Sequence, residues 1–321
     1  MTEPLTLWAL AKPEDPARDM LKKRGDARLV IGSTLAEFNS APAPDVLLVC
    51  GPFRELLQSL LRRLPALGWV HLRSAGIEGV VCPELVRPGL VVTNGRGVFG
   101  PALAEFAVGS LLYFAKDFRR LVRQQEEARW ETYEPQMLSG RSLGIVGFGD
   151  IGRQVALRGK ALGMRILALR RRVDLSATDP LVDKVFPPEK LKQLLSDSDD
   201  VVVAAPLTDA TRGLIGPGEL AVLKPSSVIV NIGRGPVIQE AALVETLRAR
   251  RIRGAALDVF ETEPLPAGHP FFSLDNVLLS PHCADHVPGW LDRAMMSFWE
   301  NLDRFRSGDP LESVVDPSRG Y

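Results

Sequence analysis

Cysteine is scarce in this chain, with three in 321 residues. Cys50, Cys82 and Cys283 are odd in number and fit no zinc-ligand or dithiol spacing. That excludes a disulfide scaffold and a thiolate metal centre, and it points to a reducing compartment. Net charge is missing too: Lys plus Arg and Asp plus Glu number 39 each. No global basic field therefore draws the chain to nucleic acid or to an anionic membrane surface. Long apolar runs are also absent. The longest, around residues 103–114, is interrupted by Glu105 and falls short of the ~20 residues that span a bilayer. The first residues carry neither a basic segment nor an apolar core long enough for a signal peptide, so the expected location is cytoplasmic. With its charges balanced, the chain is expected to have a small molecule as partner, and it shows no internal repeat or low-complexity segment.

What is present is an ordinary globular balance, 45% hydrophobic and 24% charged, at a length that suits about two domains. Short apolar runs alternate with amphipathic ones throughout, the pattern of α/β domains with parallel sheets. Strands are expected at residues 5–10, 28–31, 46–49, 69–72 and 91–93, with a helix at 54–64. Asn94-Gly95-Arg96-Gly97 then breaks the pattern, as a turn or hinge would. One long apolar helix is expected from 101 to 123, its end carrying Arg119, Arg120 and Arg123 where cations complement the helix dipole. Residues 124–138 read as an exposed arm with Trp130 and Tyr133. Further strands are expected at 142–146, 165–169, 200–204, 227–231, 254–258 and 277–279, and a closing helix within 288–307.

The sharpest local feature is Gly144-Ile145-Val146-Gly147-Phe148-Gly149-Asp150-Ile151-Gly152. An apolar strand runs into G-x-G-x-x-G and on into a helix, the arrangement that binds a dinucleotide. Gly147 permits the tight turn, Gly149 admits the pyrophosphate to the backbone, and Gly152 lets helix and strand pack closely. A ligand-free glycine turn would look similar, but here both flanking elements are in register with the motif. At the end of the next strand, where an acidic residue usually meets the ribose 2′-OH, stand Arg170, Arg171 and Arg172. Guanidinium groups there suit a 2′-phosphate, so NADP(H) is the expected cofactor, with NAD(H) as the alternative.

Three more segments each follow a strand, where open α/β sheets hold their ligands. They are Asn231-Ile232-Gly233-Arg234-Gly235, Asp258-Val259-Phe260-Glu261-Thr262-Glu263-Pro264 and Ser280-Pro281-His282. Taken singly, Arg234 reads as a salt-bridge partner, Glu263 as a cap and His282 as a structural histidine. Taken together behind a nucleotide motif they read as a site.

In that ordered series the sequence resembles the D-isomer-specific 2-hydroxyacid dehydrogenase family, which includes glyoxylate/hydroxypyruvate reductases and phosphoglycerate dehydrogenases. Asn94 to Glu105, Trp130, Pro206-Leu207-Thr208, Thr211, Gly213-Leu214-Ile215 and His269-Pro270 also fit its pattern. The resemblance implies two Rossmann-like domains, one flavodoxin-like and one NAD(P)-binding, with doubly wound parallel sheets and a cleft between them. The implied division is a nucleotide domain at 95–285 and a substrate domain made of 1–94 and 286–321.

Arg234, Glu263 and His282 then fall on the family's catalytic Arg, Glu and His. Their chemistry fits independently. Arg234 offers a planar fork of donors to a keto-acid carboxylate and to the carbonyl oxygen that gains charge as hydride arrives. His282 is suited to protonate the developing alkoxide, and a carboxylate at Glu263 would stabilise the imidazolium. Asp258 matches a residue that bonds the nicotinamide amide, though it would serve equally as a turn cap. Ser74-Ala75-Gly76 matches a loop whose amides cradle the substrate carboxylate; a plain strand-to-helix turn is the alternative. Pro206 and Thr211 join Gly147, Gly149, Asp150, Ile151 and Gly152 in the implied cofactor site. His286 is a candidate for either substrate contact or packing, and Glu261 is a second candidate for the acidic role. The chain departs from the pattern at Ala204-Ala205, where many members have a His, and at Arg170.

The function expected is reduction of a small 2-keto acid, such as glyoxylate or hydroxypyruvate, to the D-2-hydroxy acid by a homodimeric enzyme. The alternatives are a non-catalytic NAD(H)-sensing protein of the corepressor kind and a phosphite dehydrogenase-like enzyme.

Overall fold

The computed structural model describes residues 4–174 and 178–320, in two compact units. One comprises Met1–Phe99 with Pro288–Tyr321, the other Gly100–Val287. Each is built on its own parallel sheet.

The first sheet has five strands in the order β2-β1-β3-β4-β5. They are β1 (Thr6–Leu10), β2 (Arg28–Gly32), β3 (Val46–Val49), β4 (Trp69–Leu72) and β5 (Val91–Asn94). This is the flavodoxin-like order. β1, β3 and β4 are buried along their whole length and apolar except at Thr6 and His71, as suits strands covered on both faces. One face packs Leu47, Val49, Val70 and Leu72 under helix Arg54–Arg63, through Leu57, Leu60 and Leu61. The other packs Leu7, Ala9, Val46, Leu48 and Trp69 under Met295, Phe298 and Leu302 of helix Trp290–Ser307. The edge at β5 is closed by the C-terminal segment, where Asn94 N–H donates to Ser313 O and Val315 N–H to Val92 O. Covering an edge in this way removes a template for unwanted pairing.

The second sheet has seven strands in the order β12-β11-β10-β9-β6-β7-β8. They are β6 (Ser142–Val146), β7 (Arg165–Leu169), β8 (Lys184–Phe186), β9 (Asp200–Val203), β10 (Val228–Asn231), β11 (Gly254–Leu257) and β12 (Val277–Leu279). The order reverses between β6 and β9, the switch point at which doubly wound sheets bind nucleotides. Register matters here. Leu279, Leu257, Asn231, Val203, Val146, Leu169 and Phe186 are successive partners across the sheet. The loops that carry the sequence motifs therefore all leave from a single row along one edge. At the opposite edge Arg141 grips buried Asp200 through two bonds, Nε to Oδ2 at 2.9 Å and Nη2 to Oδ1 at 3.0 Å. Burial pushes the Asp200 carboxyl up and the guanidinium opposes it.

Two readings of the sequence are corrected. The helix expected from 101 to 123 is two helices, Gly100–Ala115 and Phe118–Glu126. They are separated at Asp117, whose φ of 50° lies in the left-handed region and ends an α-helix. The apolar pattern runs through the break because both helices keep an apolar face, and neither Gly nor Pro marks it. The strand β8 was missed; its three residues, Lys-Val-Phe, are too few to show a period. Among the described residues no helix is long and apolar enough to cross a membrane.

Candidate active site

The loop between β6 and helix Asp150–Ala161 shows why its glycines are glycines. Gly147 has φ 97°, and a Cβ there would lie 2.6 Å from Ala205 backbone atoms at the end of β9. A Cβ on Gly152 would lie 2.4 Å from Gly147 O, so helix and strand approach as closely as backbone allows. Around Gly149 there is open space instead, with nothing within 4 Å of an added Cβ. The two outer glycines are spent on packing and the middle one on access. That combination fits a pyrophosphate on the helix N-terminus, where the amides of Asp150, Ile151 and Gly152 are free of intrahelical acceptors. The Asp150 carboxylate lies against the start of helix Gly100–Ala115. A Cβ on Gly100, in the neighbouring helix, would lie 2.7 Å from its Oδ2.

Arg170 follows β7 directly, and its N–H donates to Phe186 O. Partial burial and the neighbouring Arg172 guanidinium pull its pKa below the usual arginine value, while Asp174 and Asp179 oppose them. Arg171 is exposed beside it. On the other side of the switch point the 206–211 loop is closed on itself. Thr211 Oγ1 donates to Pro206 O at 2.6 Å and accepts from Thr208 N–H at 2.8 Å. The hydroxyl of Thr211 is thus occupied in shaping the loop. Ala205, at the family departure, is wedged between Gly147 and Gly233, either of whose added Cβ would collide with it.

The three expected polar residues leave from neighbouring strands β10, β11 and β12. Asn231 braces the first turn: its Oδ1 accepts from Gly233 N–H and its Nδ2 donates to Arg234 O. Arg234 Nη1 donates to Gly233 O at 2.6 Å, which bends the half-buried guanidinium back over its own turn. Gly235 then abuts the second loop, since an added Cβ would lie 1.9 Å from the carbonyl carbon of Phe260. That contact joins the Arg234 turn to the Glu263 loop.

Glu263 uses both oxygens. Oε1 accepts from Phe260 N–H at 2.9 Å, and Oε2 lies 2.6 Å from His282 Nδ1. With the Nδ1 hydrogen directed at the carboxylate, Nε2 is the nitrogen left for other partners. His282 has φ 50°, a left-handed conformation uncommon outside glycine, costing on the order of 1 kcal/mol.

What holds it there is Asp258. The buried Oδ1 of Asp258 accepts from Ser280 Oγ at 2.6 Å, Cys283 N–H at 3.0 Å and Ala284 N–H at 3.1 Å. These donors straddle His282, so the turn-cap role considered for Asp258 is realised by this oxygen. Asn231 and Ser280 were not singled out in the sequence. Each stands at or just beyond the end of a strand beside a candidate residue, which was the available signal.

The neighbours are now placed as well. Cys283 gives its N–H to Asp258, and its Sγ lies 3.5 Å from Ser280 Oγ. His286 is exposed rather than packed, with Nε2 3.6 Å from Asp285 Oδ1. Burial pushes the Asp285 carboxyl up, opposed by the His286 ring. Glu261 makes no approach to His282; it pairs with Glu240, as described below.

In the first unit the 74–76 loop follows β4, and its carbonyls are all engaged. Ser74 O accepts from Gly95 N–H, Ala75 O from Asn94 Nδ2 at 2.5 Å and Gly76 O from Ser74 Oγ at 2.7 Å. The N–H groups of Ala75 and Gly76 have no protein acceptor among the described residues. Arg73, just before them, is clamped by Asp15 at 2.7 Å and by Cys50 O at 2.5 Å. A loop with satisfied carbonyls and free amides is suited to an anion.

Known proteins carry the same arrangement of sequence. The family pattern described as D-isomer specific 2-hydroxyacid dehydrogenase, NAD binding domain, matches residues 108–284. The chain belongs to the D-isomer specific 2-hydroxyacid dehydrogenase family. It is an NAD(P)-dependent enzyme of that family. A glyoxylate reductase from Aeropyrum pernix is 38% identical over 271 residues, 80% of this chain and 78% of that protein. A D-isomer specific 2-hydroxyacid dehydrogenase from Xanthobacter autotrophicus Py2, solved with NADPH and MES, is 30% identical. It has a TM-score of 0.84 and covers 99% of this chain and 100% of its own. A glyoxylate/hydroxypyruvate reductase from Sinorhizobium meliloti, solved with NADP and malonate, is 26% identical, with a TM-score of 0.80 over 99% of this chain and 98% of its own.

Proposed function

We propose that this dehydrogenase reduces a small 2-keto acid of the glyoxylate or hydroxypyruvate kind to the D-2-hydroxy acid, with NADPH preferred over NADH. The observation that carries the reading is the 2.6 Å contact between His282 Nδ1 and Glu263, which leaves Nε2 to serve as donor. The bound nicotinamide supplies the hydride. His282 delivers a proton from Nε2 to the carbonyl oxygen as charge develops there, and Glu263 stabilises the imidazolium that donates it. Arg234 binds the substrate carboxylate and polarises the carbonyl, its planar fork matching both oxygens. In the first unit the amides of Ala75 and Gly76, with Ser74 shaping the loop, bind carboxylate. In this reading the unit built from the N- and C-terminal segments handles substrate and the unit between them handles nucleotide.

The cofactor is held by Gly147, Gly149, Ile151 and Gly152 and the backbone of Asp150, with Pro206, Thr211 and Asp258 along the rest of its length. Arg170 and Arg171 receive the 2′-phosphate. Support for NADPH comes from these two guanidinium groups where a carboxylate would favour NAD, and from relatives solved with NADPH or NADP. A second copy of the chain is proposed to cover helix Phe118–Glu126 and the arm after it, where Phe118, Leu121, Val122, Met137 and the 98% exposed Trp130 present apolar surface. Light scattering on the purified protein reads that directly.

The test of function is an assay of purified protein with each reduced cofactor against a panel of keto acids, followed by chiral analysis of the product. Turnover of a keto acid to the D-isomer is expected, fastest with NADPH. Cofactor binding without turnover of any keto acid would instead support a sensing protein, and activity on phosphite alone would support the other rival.

A further inference from the structure

The loop that presents Glu263 lies in neither helix nor strand, so no ladder of backbone bonds holds it in place. Something else must, because a carboxylate 2.6 Å from an imidazole cannot keep that distance on a slack segment. On one side the loop is pressed against Gly235. On the other it is clasped by a pair of glutamates.

Glu261 stands two residues before Glu263, and Glu240 begins the helix Glu240–Arg248. Each reaches across to the other's backbone: Glu240 N–H donates to Glu261 Oε1 at 3.1 Å, and Glu261 N–H donates to Glu240 Oε2 at 3.1 Å. Two carboxylates at such close quarters need a compensating charge or donor. Part of it is the helix N-terminus under Glu240. The rest is His269, whose Nε2 lies 3.1 Å from the second oxygen of Glu240, Oε1. His269 Nδ1 accepts from Phe271 N–H at 3.3 Å, which places the ring hydrogen on Nε2 and makes that nitrogen the donor to Glu240. The side chains of His269 and Glu240 are only 17% and 16% exposed, so this bond is sheltered from water and salt.

We infer that Glu261, locked by Glu240 and His269, is a positioning residue that sets the reach of Glu263 to His282. The chain of contacts is short. His269 orients Glu240, Glu240 and Glu261 clasp each other, and the peptide between Phe260 and Glu261 is thereby fixed. Phe260 N–H in turn holds Glu263 Oε1. A carboxylate so held presents Oε2 to His282 at constant distance. Released, it swings with the loop, and the imidazolium loses part of its stabilisation. Glu261 acts through this chain and touches no reacting atom.

The inference rests on the reading of Glu263 as partner of His282, and the experiment separates the two. Glu261 is exposed, so its replacement leaves the core intact. Glu261→Ala removes one of the two bonds of the clasp, the one accepted from Glu240 N–H, whereas Glu261→Gln keeps an oxygen able to accept it. Two readouts are compared across wild type, both Glu261 variants and Glu263→Gln. They are kcat with its pH profile and NADPH affinity by fluorescence titration.

Glu261→Ala is expected to lower kcat by about tenfold or more while leaving NADPH affinity unchanged. It should also move the alkaline limb of the kcat profile to lower pH, because a charged acid that has lost a carboxylate neighbour is less stabilised. Glu261→Gln is expected to restore the profile to wild-type position. A wild-type profile in Glu261→Ala would overturn the inference. So would a Glu261→Gln variant as impaired as Glu263→Gln, since Glu261 would then be supplying charge itself. Full activity in Glu263→Gln would refute the underlying reading, and the positioning role with it.

Discussion

Gly235 meets the peptide of Phe260 so closely that a Cβ on it would lie 1.9 Å from the carbonyl carbon. The obstacle is backbone on both sides, so a side chain cannot be accommodated by a rotamer change. Gly235→Ala must part the turn that carries Arg234 from the loop that carries Glu263. A displacement on the ångström scale at reacting groups costs about a hundredfold in rate. The expected outcome is a fall in kcat/KM for keto acid of that order with NADPH affinity little changed, read by steady-state kinetics beside a binding titration. Near-normal turnover in a folded Gly235→Ala protein would show that the two loops need not touch.

Asp258 holds three donors around His282 on a single oxygen. Asp258→Ala leaves those donors unpaired in a partly buried turn, and the expected loss of stability is about 2–3 kcal/mol. Asp258→Asn keeps an acceptor oxygen and should lose well under half of that. Denaturant unfolding of both variants measures the difference. Equal losses would mean that the charge of Asp258, not its acceptor geometry, holds the turn.

Arg170 is expected to discriminate between the two cofactors. A hydrogen bond from a guanidinium to a phosphate is worth roughly 1.5–3 kcal/mol, so Arg170→Ala should weaken NADPH binding by about tenfold to a hundredfold. NADH lacks the 2′-phosphate, so its affinity should barely move. Fluorescence titration with each cofactor gives both numbers. Comparable losses for the two would remove Arg170 from the 2′-phosphate site.

His71 sits wholly buried in β4, with Nδ1 2.8 Å from Thr93 Oγ1 and Nε2 without a hydrogen-bond partner among the described residues. Burial holds its pKa down to about 3. An unfolded histidine titrates near 6.5, so between those values the unfolded chain binds a proton that the native protein does not. Stability is therefore complete above the unfolded value and falls as pH drops, by up to about 1.4 kcal/mol per pH unit from this residue. Unfolding midpoints measured through this range should show a slope that His71→Gln flattens. Parallel slopes would place the acid sensitivity elsewhere.

Much of this was legible in the sequence, for reasons that can be named. The strands β3, β4, β6, β7 and β12 were found to the residue because largely buried strands are mainly apolar runs bounded by turn residues. Gly147 and Gly152 were expected at a tight turn and a close helix–strand approach, and a Cβ on either would strike backbone, while Gly149 lies in open space. The break at Asp117 was hidden, since a left-handed residue between two amphipathic helices leaves the apolar pattern intact. The clasp of Glu240 and Glu261 was equally hidden. Its members are 21 residues apart and meet only because helix and loop leave the same edge of the sheet. Which oxygen of Asp258 is occupied, and by what, is likewise a matter of three dimensions.

The proposed delivery of a proton by His282 is tested most directly by one comparison. Single-turnover reduction of hydroxypyruvate by NADPH is followed in wild type and in His282→Gln, with cofactor affinity measured on the same samples. Loss of the proton donor should slow the chemical step by about a hundredfold to ten-thousandfold with NADPH affinity preserved. A His282→Gln protein that turns over at the wild-type rate would contradict the account.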